Sequence, residues 1–140
     1  MTDEVGHIAQ SFYDAVNQVM RGDAAPMLTL WSAQDDVTYL DPRGGVHQGR
    51  AAIVAYWQHA AQMNSGAPGA IVVTPEPLAV WTSGNLTCAV TREHIQITQD
   101  GQTRQEEARA TALYRREAGA WRMIHRQSEP TRPTNSDAEA

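Results

Sequence analysis

The sequence predicts an α+β domain in which three helices cover the concave face of a curved antiparallel sheet. Helical periodicity is confined to residues 5–63, and β-prone stretches joined by short turns fill 70–128. A chain of 140 residues with no repeat and no linker-like stretch has room for one conventional core.

In the first helix the apolar residues Ile8, Ala9, Phe12, Val16 and Val19 recur every three or four positions, with Thr2 or Asp3 available as a cap. Arg21-Gly22 supplies a cationic last turn and a residue suited to the left-handed end of a helix. Asp23 then caps a shorter second helix with Pro26 in its first turn and Met27, Leu28, Leu30 and Trp31 as its apolar set. Residues 37–40 read as a strand, DPRGG as a turn, and Val46-His47-Gln48 as its return. A third helix follows Gly49, burying Ile53, Tyr56 or Trp57, Ala60 and Met63, until NSGAPG breaks it. Residues 70–82, 85–98, 103–116 and 121–128 then alternate as an antiparallel meander. The domain spans 1–128, and the tail 129–140, with two prolines and no large apolar residue, is expected to be disordered. A twisted sheet closed on one side by helices leaves a concavity where small molecules bind.

Composition narrows the function. The formal charge is −5 and the 11 basic residues form no block, so nucleic acid is set aside as a partner. Cys88 is the only cysteine, which excludes a disulfide framework and suits a reducing compartment; inside a strand pattern and without a basic neighbour it reads as an inert core thiol. No secretory pattern opens the chain and no apolar run reaches membrane length, so a cytoplasmic protein that does not enter a membrane is expected. His47 and His59 form neither an i, i+4 pair nor an H-x-H pattern, and no phosphate-binding or nucleophile-elbow motif is present. No metal and no cofactor is expected.

The run VTYLDPRGGVHQG places a carboxylate, Asp41, where a strand ends and the chain bends. Asp41 reads either as a general base whose pKa is raised by apolar surroundings or as a turn residue that hydrogen-bonds its own backbone. The order helix, helix, hairpin, helix, meander, with DDVTYLDP and RREAGAWRMIH as its most specific pieces, resembles the nuclear transport factor 2-like superfamily over residues 5–128. That group includes ketosteroid isomerase and the SnoaL-like polyketide cyclases.

The resemblance implies a cone-shaped sheet closed over an apolar pocket, often in a homodimer formed through the outer sheet face. It assigns Asp41, at the position of the isomerase's strand-ending aspartate, as general base. The isomerase's helix-one tyrosine falls at Phe12, beside Tyr13, and its protonated aspartate at Thr111. Tyr13, Tyr56, Thr111 and Arg126 are the candidate donors to a substrate oxygen. Trp31, Tyr39, Trp57, Leu113 and Ile124, with Phe12 and Tyr56, would line the pocket, although core packing explains the aromatic residues equally well. Aligning Thr111 inward places Arg109, Leu113, Ile124, Arg126 and Ser128 inward too, and a buried arginine then needs a carboxylate, from Asp41 or from an acidic ligand. His125 falls on the outer face as an interface residue. Only one of Glu93 and His94 can face the pocket, and the sequence leaves open which.

These residues suit a protein that binds a small lipophilic carbonyl compound, with cofactor-independent isomerase, cyclase or dehydratase chemistry at Asp41. The terminal hairpin also resembles the association domain of calmodulin-dependent kinases, which implies the alternative of a non-catalytic binding or oligomerisation module.

Overall fold

The computed structural model describes residues 2–131. Helix α1 spans Thr2–Val19, α2 Ala25–Leu30 and α3 Arg50–Asn64; strands are β1 Thr38–Leu40, β2 Val46–Gln48, β3 Ile71–Ser83, β4 Leu86–Gln99, β5 Gln102–Glu117 and β6 Ala120–Pro130. They form one six-stranded sheet in the order β2-β1-β6-β5-β4-β3. The meander β3 to β6 is antiparallel throughout. The short hairpin β1–β2 joins it with β1 parallel to β6, pairing Tyr39 with Arg126. That one parallel pair carries the end of the hairpin to the inward-facing residues of the last strand. Strand β6 continues to Pro130, two residues past the expected boundary, and residues 132–140 of the expected tail lie outside the described residues.

The periodicities place the core. Phe12, Val16 and Val19 of α1, Met27 of α2, and Ile53 and Trp57 of α3 meet Val73, Ala89, Ala112, Tyr114, Trp121 and Met123 of the sheet. Small alanines at 89, 108, 110 and 112 leave room over the middle strands for larger groups from the helices and from β6.

The link between α2 and β1 is held by Arg50, at the start of α3. Its guanidinium donates to the carbonyls of Leu28 (2.9 Å), Trp31 (3.1 Å) and Ser32 (3.0 Å), capping the end of α2 with a fork that lysine cannot reproduce. Arg50→Ala is expected to cost about 2–3 kcal/mol, since hydrogen bonds from charged groups contribute about 1.5–3 kcal/mol and the freed carbonyls are partly buried. Chemical denaturation of the variant checks this, with Arg50→Lys recovering less than half of the loss.

Candidate functional site

Asp41 lies just beyond β1, and its carboxylate makes the turn it belongs to. Oδ1 accepts the backbone N–H groups of Arg43 (2.8 Å) and Gly45 (3.0 Å), while Oδ2 is 2.7 Å from Nε2 of His47. The backbone closes the same loop, with Asp41 N–H on the Gly45 carbonyl at 2.9 Å and Gly44 N–H on the Asp41 carbonyl at 3.1 Å. Burial pushes this carboxyl upward, but the His47 bond and the two amides outweigh it and leave the pKa below the ordinary value. The expected raised pKa is therefore corrected. Asp41 is the turn former, and as a turn former it is held ionised against an imidazole.

His47 pairs with Tyr39 across the hairpin and so shares the inward face of the sheet. Its ring stacks on Tyr39 at a centroid distance of 5.8 Å and lies 4.7 Å from Tyr56 of α3. The side chains of His47 and Asp41 are 25% and 10% exposed, so the pair sits at a rim and not in bulk water. A hollow of about 260 Å³ opens beside it, lined by Asp41, Gly44, Gly45, Gln127, Ser128 and Glu129 among others. Gly45 is required here for close approach: a methyl group at its Cβ would collide with Asp41 Oδ2 and come 3.1 Å from His47 Nε2. Gly45→Ala is thus expected to break the Asp41–His47 contact, which the loss of the imidazole N–H resonance bonded to the carboxylate would report.

Behind the hollow lies a buried ionic cluster. Arg126 of β6 donates through Nη2 to Glu93 of β4, and both residues are 4% exposed. Glu93 also accepts the hydroxyls of Tyr13 (2.7 Å) and Ser128 (3.1 Å). The guanidinium lies over the Phe12 ring at 4.1 Å and near that of Tyr13 at 5.7 Å. Burial alone would raise the Glu93 carboxyl, yet the Arg126 charge and the hydroxyl bonds bring it below its ordinary value. Desolvation pushes the Tyr13 phenol up to about 12, so it stays a donor. Ser128 joins the two regions, since it lines the hollow and donates to Glu93.

Aromatic rings fill the space between. Tyr39 stacks on Trp57 (5.4 Å, 18°) and meets Tyr56 (4.9 Å) and Trp31 (6.1 Å) edge-on, while Phe12 meets Trp57 at 6.2 Å. Burial holds the phenols of Tyr39 and Tyr56 in the protonated, hydrogen-bond-donating form.

The structure brings Asp41, Tyr13, Arg126, Phe12, Trp31, Tyr39, Tyr56 and Trp57 to the helix-covered face, but it turns Arg109, Thr111 and Leu113 away. On β5 the buried residues are Ala108, Ala110, Ala112 and Tyr114, so the intervening side chains point to the outer face; Arg109 is exposed and bonds Glu129 at 3.2 Å. Aligning Thr111 with the isomerase's inward aspartate therefore fails, because β5 alternates regularly from Ala108 to Tyr114; the register shift lies on the facing strand, as a bulge in β6 where Leu113 pairs with His125 but Tyr114 with Met123. Ile124 is the extra residue of this bulge: Met123 and Arg126 take inward positions on either side of it, and Ile124 is left half-buried at the edge of the core. His125 lies on the outer face, its Nδ1 2.6 Å from the hydroxyl of Thr38.

The partner of Arg126 is neither Asp41 nor an outside ligand but Glu93, and so Glu93 faces inward while His94 bonds Glu76 on the other side. His47 was the residue that motif reading passed over. Its signal was present in the hairpin, where Asp41 opens the DPRGG turn and His47 follows on the return strand, six positions on. Among the described residues no cluster of three or more His, Cys, Asp or Glu side chains is arranged to hold a metal ion, and no helix is long and apolar enough to cross a membrane.

The sequence matches the model of the SnoaL-like domain family over residues 5–131. No curated protein matches it. Among solved structures it is similar to a candidate calcium/calmodulin-dependent protein kinase type II association domain from Thiobacillus denitrificans, at 24% identity over 89% of this chain and 93% of that one, with a TM-score of 0.74. It is also similar to a candidate dehydratase of the nuclear transport factor 2-like family from Streptomyces avermitilis, at 18% identity over 94% and 97%, with a TM-score of 0.75. A nuclear transport factor 2-like protein with a cystatin-like fold from Novosphingobium aromaticivorans gives 18% identity over 96% and 84%, with a TM-score of 0.75. At such identities these likenesses establish the shared frame, a curved sheet closed by helices, and it is the family match over nearly the whole chain that places the protein: it belongs to the SnoaL-like domain family.

Proposed function

We propose that the protein binds a small lipophilic carbonyl compound in its helix-covered face and moves a proton on it without a cofactor, as an isomerase, cyclase or dehydratase would. The observation that carries this reading is the 2.7 Å contact between Asp41 and His47 at the rim of the 260 Å³ hollow. A carboxylate with a lowered pKa is a weak base by itself. Bonded to one nitrogen of an imidazole, it orients the ring and fixes its tautomer, so that the ring can act as the proton-transfer group. The reading therefore assigns proton transfer to the Asp41–His47 pair, with Tyr56 as a protonated donor on the same face, while the Tyr13 hydroxyl is already given to Glu93. A single-cysteine chain of this kind suits a reducing, cytoplasmic setting.

The test needs no knowledge of the natural substrate. A panel of enolisable ketones is incubated with the protein in heavy water, and loss of the proton beside the carbonyl is followed by NMR. Exchange well above the buffer rate for at least one compound is expected; a panel that exchanges no faster with protein than without it removes the proton-transfer reading.

One observation favours a second reading, that of an association module. Trp81 and Leu86, at the β3–β4 turn on the sheet face away from the helices, are 56% and 38% exposed. Apolar side chains grouped this way suit a homodimer through the outer sheet. Trp81→Asp is then expected to shift the protein towards monomer in sedimentation velocity while leaving its thermal transition in place.

A further inference from the structure

The hollow beside Asp41 is walled by hydrogen-bond acceptors. Ser128, 3% exposed, both lines it and gives its only hydroxyl proton to Oε1 of Glu93 at 3.1 Å. That proton is committed, because Arg126 holds the Glu93 carboxylate ionised and an ionised carboxylate only accepts. Ser128 Oγ therefore has lone pairs alone to offer. Oδ1 of Asp41 is filled by the Arg43 and Gly45 amides, but Oδ2 accepts one bond, from His47, and keeps room for a second. The Gly44 and Gly45 amides are spent inside the turn. The Glu129 carboxylate stands at the mouth, steadied by Arg109 at 3.2 Å. Gln127 is the one lining side chain with N–H groups, and its exposed amide can turn either end inward. Leu40 and Val46 supply apolar wall.

We infer that the hollow selects a carbonyl compound carrying a hydrogen-bond donor, a hydroxyl or a protonated amine, a few bonds from the enolisable carbon, and rejects one carrying a carboxylate. Ser128 Oγ and the Glu129 carboxylate take the donor, and the carbon frame lies against Leu40 and Val46. An anionic group would face two carboxylates with no cationic side chain lining the hollow, while a wholly apolar ligand would strip water from Ser128 and Asp41 without replacing its bonds. Ser128 is then a specificity-determining residue whose direction is fixed from behind by Glu93. The buried cluster thus takes part in recognition as well as in packing. This rests on the proton-transfer reading and deepens it by naming the substrate class.

The experiment uses cyclohexanone and its derivatives with a hydroxyl, an ammonium or a carboxylate on the opposite ring carbon. Binding is read in ordinary water from the backbone amide signals of Gly44 and Gly45, and exchange of the proton beside the carbonyl is read in heavy water. The hydroxyl and ammonium compounds are expected to bind at least about tenfold more tightly than the carboxylate, a difference of about 1.4 kcal/mol. Added salt separates the two donors, since it weakens the ammonium compound through the Glu129 charge and leaves the hydroxyl compound in place. Ser128→Ala is expected to cut the preference for the hydroxyl compound over cyclohexanone severalfold. Glu129→Gln, at an exposed position, is expected to cut the preference for ammonium over carboxylate severalfold, and it carries the test if Ser128→Ala fails to fold. A carboxylate that binds as tightly as the hydroxyl compound, ratios that neither substitution changes, or Gly44 and Gly45 signals that stay fixed at millimolar concentrations of all four compounds would overturn the inference. The two readings fail separately: exchange with no order among the compounds removes only the donor selectivity, and ordered binding with no exchange removes only the proton transfer.

Discussion

Replacing Arg126 with methionine is expected to lower stability by about 3–5 kcal/mol, the largest single effect in the molecule, because it leaves the Glu93 carboxylate buried without its counter-charge. The methionine fills much of the volume over Phe12, so the loss is electrostatic more than a cavity effect. Its signature is therefore in the pH dependence. In the native protein Glu93 has a pKa below its unfolded value, so its contribution is complete above about 4.3 and is lost as pH falls through the lower folded value. In the variant, burial without Arg126 raises the folded pKa instead. A group shifted upward stabilises below its unfolded pKa and loses that contribution as pH rises, so the variant gains on acid while the native protein does not. The gap between the two melting temperatures should narrow from pH 7 to pH 5. The double variant Glu93→Gln/Arg126→Met should recover much of the loss at pH 7, since no uncompensated charge remains. A gap that is constant with pH, or a double variant as unstable as the single, would mean the pair is not held as described.

How much of this was legible in the sequence depends on the range of the interaction. The helices and strands follow from periodicity, and each was readable to within one or two residues because a local pattern sets them. The hairpin's union with β6 in parallel was not readable, because nothing near residues 38–40 specifies the partner strand. The face of β6 was readable only in part. Alternation puts Ile124, Arg126 and Ser128 together, yet the bulge at Ile124 breaks the alternation, and a bulge is fixed by the partner strand's register and not by its own sequence. Arg109, Thr111 and Leu113 were expected inside for a different reason: the likeness to the isomerase put Thr111 inward, and the true inward set on β5 is led by its alanines, whose small side chains give no hydrophobic signal of burial. Glu93 faces inward for a related reason. It shares its strand face with Ala89 and Thr91, and a charged residue in such a run is read as inward only once Arg126 is known to wait across the sheet.

Replacing Asp41 with asparagine is expected to slow ketone proton exchange by about 10²–10⁴-fold while changing stability far less than Arg126→Met does. The amide keeps the size and can still accept from the Arg43 and Gly45 N–H groups through its oxygen, so the turn survives. What it loses is charge. An amide NH₂ facing His47 Nε2 in place of Oδ2 would hold the imidazole in the opposite tautomer and remove the carboxylate that supports the imidazolium. His47→Gln tests the same pair from the other side: if the ring carries the proton, it should slow exchange at least as much as Asp41→Asn, and the double variant should be no slower than the worse single. If Asp41 acted alone as the base, His47→Gln would cost less than a tenfold factor and could even raise activity, since losing the His47 bond would let burial lift the carboxyl toward a better basic strength. Asp41→Asn with undiminished exchange would remove the proton-transfer role from this end of the sheet and leave the buried Glu93–Arg126 cluster as the site's chemistry.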